Sequence, residues 1–145
     1  MSTRRGFTII ELLVVMIVLG VLASIAILRY RDFTDEALAA RIATDMQTVR
    51  LAALNHYSDA NDWPAEAAEG QVPAELVRYL PEGWQFGSGS YSLDWDNLGG
   101  VVGVTVRSDR PNLIAKLSQR LVQGNPFVDM GGNVMYIIVA PGIPI

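Results

Sequence analysis

Hydrophobic residues are concentrated in one unbroken run near the start of the chain. No charged residue occurs from Leu12 to Leu28, and apolar side chains there cover all faces of a helix. The wider run from Phe7 to Leu28 has about 22 residues, which would form a helix roughly 33 Å long. That length is enough to cross the hydrocarbon core of a bilayer. The pattern therefore predicts a membrane-spanning helix over 7–28.

The next part of the chain has an amphipathic pattern. Apolar residues recur at spacings of three and four, the period of a helix with one buried face, and charged residues fall mainly between them. This stripe consists of Leu38, Ile42, Met46, Val49, Ala53 and Tyr57. Together with the apolar run, it predicts one nearly continuous helix from about Phe7 to Tyr57, roughly 75 Å long.

Beyond the long helix, the sequence predicts two shorter helices. Ala74–Leu80 lies between two prolines, the first of which stands where proline commonly begins a helix. Leu113–Val122 has helical periodicity, with Asn112 as a candidate N-cap. A short apolar tail, 141–145, ends the chain.

Three segments have the pattern of β-strands. Tyr91–Asp96 alternates apolar and polar residues, Val101–Val106 is rich in β-branched residues, and Met135–Val139 is apolar. Short strands in a small head pair most readily in the antiparallel sense. The predicted fold class is therefore α+β, with a long N-terminal helix packed on a small antiparallel β-sheet head.

Composition and charge exclude some classes of function. The 145 residues include 11 Lys and Arg against 15 Asp and Glu, for a net charge of −4. An acidic surface repels phosphate backbones, so no direct nucleic-acid binding is predicted. The chain has no cysteine, which excludes disulfides, cysteine zinc sites and a thiol nucleophile.

Two general interpretations of the N-terminal segment leave Glu11 unexplained. A secretory signal peptide has a shorter apolar region and a better cleavage site than 23–26 provides. A plain signal anchor fits the span, with Arg4 and Arg5 holding the N-terminus in the cytoplasm. Neither requires an acid at the start of the span. Glu11 either reaches water at the membrane surface or has a cationic partner, which could be Arg4, Arg5 or an α-amine created by cleavage.

The N-terminal residues resemble a specific signal. Gly6-Phe7-Thr8-Ile9-Ile10-Glu11, followed by the apolar run, is similar to the class III signal of type IV pilins and type II secretion pseudopilins. The resemblance implies a prepilin peptidase that cuts between Gly6 and Phe7 and N-methylates Phe7. It also implies that Glu11 meets the α-amine of a neighbouring subunit during assembly. The chain would then divide into a leader (1–6), a transmembrane and assembly half of the helix (7–28) and a globular head (29–145).

This resemblance implies a structural subunit rather than an enzyme. The subunit would polymerise through its N-terminal helix into a type II secretion pseudopilus or a type IV pilus-like filament. Its partners would be identical or related pilin subunits, the prepilin peptidase, an inner-membrane assembly platform and the membrane. It would cross the inner membrane once, with its head outside the cytoplasm, before joining a periplasmic or extracellular filament. The alternative is a signal-anchored periplasmic enzyme or binding module that acts as a monomer.

Other candidate sites are weaker. No cofactor is predicted, although two acidic segments could supply oxygen ligands to a structural calcium ion. One contains Asp59, Asn61 and Asp62, and the other contains Asp94, Asp96 and Asn97; turn formation is the favoured explanation of both. His56 is the only histidine and is expected to pack on the helix or face solvent, while Ser88 and Ser90 lack a nucleophile motif. The aromatic residues Trp63, Trp84, Tyr91 and Trp95 are expected in the head core, unless some form an exposed cluster that binds a sugar or peptide.

Overall fold

The computed structural model describes residues 7–87, 89–121 and 127–139. The chain divides into two compact units, the first ending at Thr34 and the second beginning at Asp35. The second unit contains the sheet and the hydrophobic core. Three parts of the sequence predictions lie outside the described residues: the cleavage residue Gly6, the last residue of the predicted helix Leu113–Val122, and the C-terminal tail 141–145.

The long helix α1 spans Ile9–Ala60. It confirms the predicted helix and continues three residues past Tyr57. Its end is set by Asn61, which has a left-handed backbone (φ 54°) and whose amide donates to the Tyr57 carbonyl at 2.8 Å. Asparagine is one of the few residues that tolerate this conformation, which commonly terminates helices. Pro64 follows soon after and prevents the helix from resuming.

The head contains a four-stranded antiparallel sheet in the order β1-β2-β4-β3. Its strands are β1 (Ser92–Asn97), β2 (Val102–Arg107), β3 (Phe127–Asp129) and β4 (Asn133–Val139). Three of them confirm the predicted strands with small shifts at their ends. The three-residue β3 was not predicted, because it is too short to show a period of two. The α+β fold class, with an N-terminal helix on a small antiparallel sheet, is confirmed.

Two details of the predicted short helices are wrong. Only a 3₁₀ turn, Val77–Tyr79, forms within Ala74–Leu80. The following Pro81 leaves no room for a longer helix, since a residue before proline is disfavoured in helical conformation. Helix α2 spans Pro111–Leu121, so Asn112 lies inside the helix and is not its N-cap. Proline at the first helical position begins α2, because its missing N–H has no partner to lose there.

The core of the second unit lies between the C-terminal part of α1, α2 and one face of the sheet. Four of the six residues in the predicted stripe are buried, and Leu38 and Tyr57 are partly buried. They pack with sheet residues such as Trp95, which is fully buried. Ion pairs also connect α1 to this part of the head: Asp35 pairs with Arg110, which directly precedes α2, and Glu36 pairs with Arg120 in α2.

Candidate functional site

The N-terminal part of α1 exposes an apolar surface. The large hydrophobic side chains from Phe7 to Phe33 are between 45% and 85% exposed. An 18-residue window of α1 has a mean hydropathy of 2.8, and none of it is buried. By length and composition this helix can cross a membrane. An apolar helix surface of this extent requires lipid or other helices around it.

Glu11 closes the first turn of this helix. Its Oε2 accepts hydrogen bonds from the Thr8 amide at 2.9 Å and from the Thr8 hydroxyl at 2.7 Å. In return, the Glu11 amide donates to Thr8 Oγ1 at 3.3 Å. This reciprocal arrangement is a capping box, in which threonine and glutamate satisfy amide groups that have no partner inside the helix. Glu11 therefore has a partner in its own chain that sequence reasoning did not consider.

The signal for this partner was present in the sequence. Thr8-Ile9-Ile10-Glu11 has the threonine and glutamate spacing of a capping box immediately before an apolar run. The two arginines considered as partners, Arg4 and Arg5, lie outside the described residues. Both described hydrogen bonds to the Glu11 carboxylate run to Oε2. Among the described residues no donor binds the second oxygen, Oε1, which can therefore accept a hydrogen bond from another group.

The predicted modification site, Phe7, directly precedes the capping box. Helix α1 begins at Ile9, so Phe7 and Thr8 precede it and carry no helical assignment. Phe7 is 78% exposed. Its backbone stands one residue before the N-cap, and an α-amine at Phe7 would lie next to the Thr8 amide that Glu11 already binds. Of the residues predicted for cleavage, methylation and assembly, Phe7 and Glu11 lie at the same helix terminus, and Gly6 lies outside the described residues.

The acidic segments considered for calcium have protein partners. Within residues 7–87, 89–121 and 127–139, no group of three or more His, Cys, Asp or Glu side chains is placed to hold a metal ion. Asp94 pairs with Arg107 at 3.0 Å, and Asp96 accepts a hydrogen bond from Thr105. The pKa of Asp96 is raised, because the effect of burial is larger than that of the hydrogen bond from Thr105, which lowers the pKa.

The first acidic segment is also occupied by turn and loop contacts. Asp59 accepts a hydrogen bond from the Tyr79 hydroxyl at 2.6 Å, and this bond raises the pKa of the tyrosine. Asp62 accepts a hydrogen bond from the backbone amide of Trp63 at 2.8 Å. These contacts are those of a turn and of a loop tied to the end of α1, as the turn interpretation expects.

The remaining candidates have structural contacts. His56 is buried and meets the Tyr79 ring edge-on, with ring centres 5.9 Å apart. Trp95 is fully buried and donates through Nε1 to the Pro64 carbonyl at 3.1 Å, while Trp63 stacks on Tyr57. Trp84 is partly buried and Tyr91 is buried, so the four aromatic residues form no exposed cluster. Ser88 lies outside the described residues.

Comparisons with known proteins show similarity to fimbrial proteins and pilins. The family model described as "Prokaryotic N-terminal methylation motif" matches residues 1–27. The chain is 32% identical to the fimbrial protein EcpC of Eikenella corrodens over 75 residues, which cover 52% of this chain and 49% of that protein. It is 27% identical to the type IV major pilin protein PilE1 of Neisseria gonorrhoeae over 112 residues, covering 77% and 48%. These alignments span about half the length of each relative.

A solved structure shares the fold of this chain. The major type IV pilin PilA1 of Clostridium difficile aligns with a TM-score of 0.54 over 74% of this chain and 98% of that chain, at 16% identity. Pilins are structural subunits rather than enzymes, which agrees with the expectation from the sequence. The chain thus carries an N-terminal methylation motif, is similar in sequence to fimbrial proteins and type IV pilins, and shares the fold of a type IV pilin.

Proposed function

We propose that the chain is a filament subunit that is cut between Gly6 and Phe7, N-methylated on Phe7 and polymerised through residues 7–28. The observation that carries the proposal is the Glu11 carboxylate, held at the start of the exposed apolar part of α1 and one turn from Phe7. A charged group at the edge of an apolar helix bundle favours arrangements that bring an opposite charge to it.

The α-amine of Phe7 in a neighbouring subunit supplies that charge. An ammonium group can bind Glu11 Oε1 while Thr8 keeps its hydrogen bonds to Oε2. The apolar surfaces of neighbouring helices pack without specifying an axial position, because each contact resembles the next. Pairing of Glu11 with the amine adds that specificity, because it fixes the axial register of neighbouring subunits.

The filament is best described as type IV pilus-like, because the named relatives are fimbrial proteins and pilins. A type II secretion pseudopilus is the second candidate, since the chain has no cysteine for the disulfide-closed C-terminal loop of many type IV pilins. In either filament the subunit first crosses the inner membrane once, with its head outside the cytoplasm. A prepilin peptidase and an assembly platform in that membrane then act on it.

Filament yield in cells with the assembly machinery tests the proposal. Glu11→Ala should leave synthesis and membrane insertion intact but remove the chain from the sheared filament fraction. Glu75→Ala, which removes an exposed glutamate from the head, is the matched control and should assemble normally. Normal filaments from Glu11→Ala would contradict the pairing.

Cleavage is tested separately with Gly6→Arg. A peptidase requires close approach to the backbone, which glycine allows and a long side chain obstructs. The variant should accumulate as a full-length precursor in the membrane fraction. Mature-sized protein on a gel would contradict the assignment of the cleavage site.

A further inference from the structure

The residues that follow the apolar run form a distinct band on α1. Arg29, Tyr30, Arg31 and Phe33, here called the collar, all lie in the first unit and are all exposed. Tyr30 and Phe33 are each 71% exposed. The collar is unusual because it puts two arginines beyond the end of the predicted span, on the side where the positive-inside tendency disfavours them.

We propose that the collar binds the phospholipid headgroup layer on the outer side of the membrane, before the subunit enters a filament. The ligand is the lipid phosphate, bound by the two guanidinium groups, with the aromatic rings beside it at the hydrocarbon boundary. The proposal rests on the membrane insertion included in the proposed function. It adds a partner for residues 29–33 that the pairing at Glu11 does not involve.

The position of the collar along the helix fits this layer. A helix from Phe7 to Leu28 is roughly 33 Å long, and the hydrocarbon core of a bilayer is about 30 Å thick. The first collar residue therefore comes where the core ends. From Arg29 to Phe33 the helix rises about 6 Å, close to the thickness of one headgroup region, since the two regions together add about 10–15 Å to the core.

The arrangement around the helix favours lipid over a single protein partner. Arg29, Tyr30 and Phe33 share one face, because residues three and four apart are neighbours on a helix. Arg31 is about 200° around the axis from Arg29, so cationic groups point to nearly opposite sides. A docked protein contacts one side of a helix, whereas a headgroup layer surrounds it.

The chemistry of the side chains agrees with this ligand. Guanidinium groups bind phosphate oxygens through paired N–H donors. Tyrosine is enriched at membrane interfaces, where its ring contacts the hydrocarbon and its hydroxyl contacts water. The predicted span and the collar are continuous in sequence, so insertion of one brings the other to the membrane surface.

Solid-state NMR on the full chain in bilayers of phosphatidylglycerol and phosphatidylethanolamine tests the proposal. The measurement is the dephasing of arginine Cζ signals by lipid phosphorus, which reports guanidinium groups in contact with phosphate. Arg4 and Arg5 also flank the span, so the double variant Arg29→Gln/Arg31→Gln should lose about half of the dephased signal. Arg41→Gln, which removes an exposed arginine of the second unit, is the control and should lose none.

An unchanged dephased signal in the double variant would overturn the proposal. Photo-crosslinking from p-benzoylphenylalanine at position 33 gives an independent result in unassembled subunits. Lipid adducts support the collar, whereas adducts to protein alone would assign this surface to a protein partner. An alkaline wash separates the two proposals: a chain released by the wash contradicts membrane insertion, while an integrated chain without arginine–phosphate contact contradicts only the collar.

Discussion

Glu11 has two physical roles in this account, and two substitutions separate them. Glu11→Gln removes the charge but keeps a side-chain oxygen that can accept both hydrogen bonds from Thr8. Thr8→Val keeps the charge and the shape of the N-cap residue but removes its hydroxyl. That change deletes two of the three hydrogen bonds of the capping box and retains the one from the Thr8 amide.

The expected effects differ in size. Loss of a threonine N-cap costs about 1 kcal/mol, which lowers the ratio of ordered to frayed first turn by a factor of about five. Thr8→Val should therefore reduce filament yield by no more than about fivefold. Glu11→Gln leaves the cap in place but removes the counter-charge of the neighbouring α-amine. Its filament yield should fall to the level of Glu11→Ala.

The assay compares the sheared filament fraction at equal amounts of subunit in the membrane. Hydrogen exchange of the first amides of α1 gives a parallel measure of order in the capped turn. Wild-type yield from Glu11→Gln would show that capping, and not charge, is the contribution of Glu11. A complete loss of filaments from Thr8→Val, with Glu11 still charged, would lead to the same conclusion.

Two further predictions concern the head. A Cβ at Gly103 would lie 2.6 Å from the Tyr136 carbonyl oxygen, so Gly103→Ala should lower the free energy of unfolding by about 1–3 kcal/mol. The control is Gly87→Ala, whose Cβ would have no contact closer than 3.9 Å. Urea titrations of the full chain in detergent measure both variants, and equal midpoints would contradict the prediction. Because the pKa of Asp96 is raised in the folded state above its usual 3.8, this group favours folding at low pH, and its contribution is lost as pH rises through the raised folded-state pKa. Asp96→Asn should therefore be more stable than wild type at neutral pH, with the difference shrinking as the pH falls through the raised folded-state pKa towards 3.8. A difference independent of pH would show that Asp96 does not titrate in this way.

The elements with a clear period were predictable from the sequence. The stripe at Ile42, Met46 and Val49 predicted the buried face of α1, because apolar residues with a period of 3.6 indicate a helix with one buried face. The alternation around Leu93 and Trp95 gave β1 for the corresponding reason. Elements that depend on fewer residues were missed, as with the three residues of β3.

Contacts between distant residues were not predictable. Asp35 lies outside the predicted apolar stripe, yet it is buried and pairs with Arg110, which is 75 positions away in the sequence. A single sequence contains no signal that joins two such positions. The capping box is the opposite case, because Thr8 and Glu11 are three residues apart and their spacing alone identifies the contact.

The mass of the N-terminal peptide from isolated filaments tests the central claim most directly. The account predicts a chain that begins at Phe7 and carries one methyl group on its α-amine. The same peptide from the Gly6→Arg variant should retain residues 1–6 and should be found only in the membrane fraction. Filaments built from a chain that still contains Arg4 and Arg5, or that begins with an unmodified residue other than Phe7, would contradict the account.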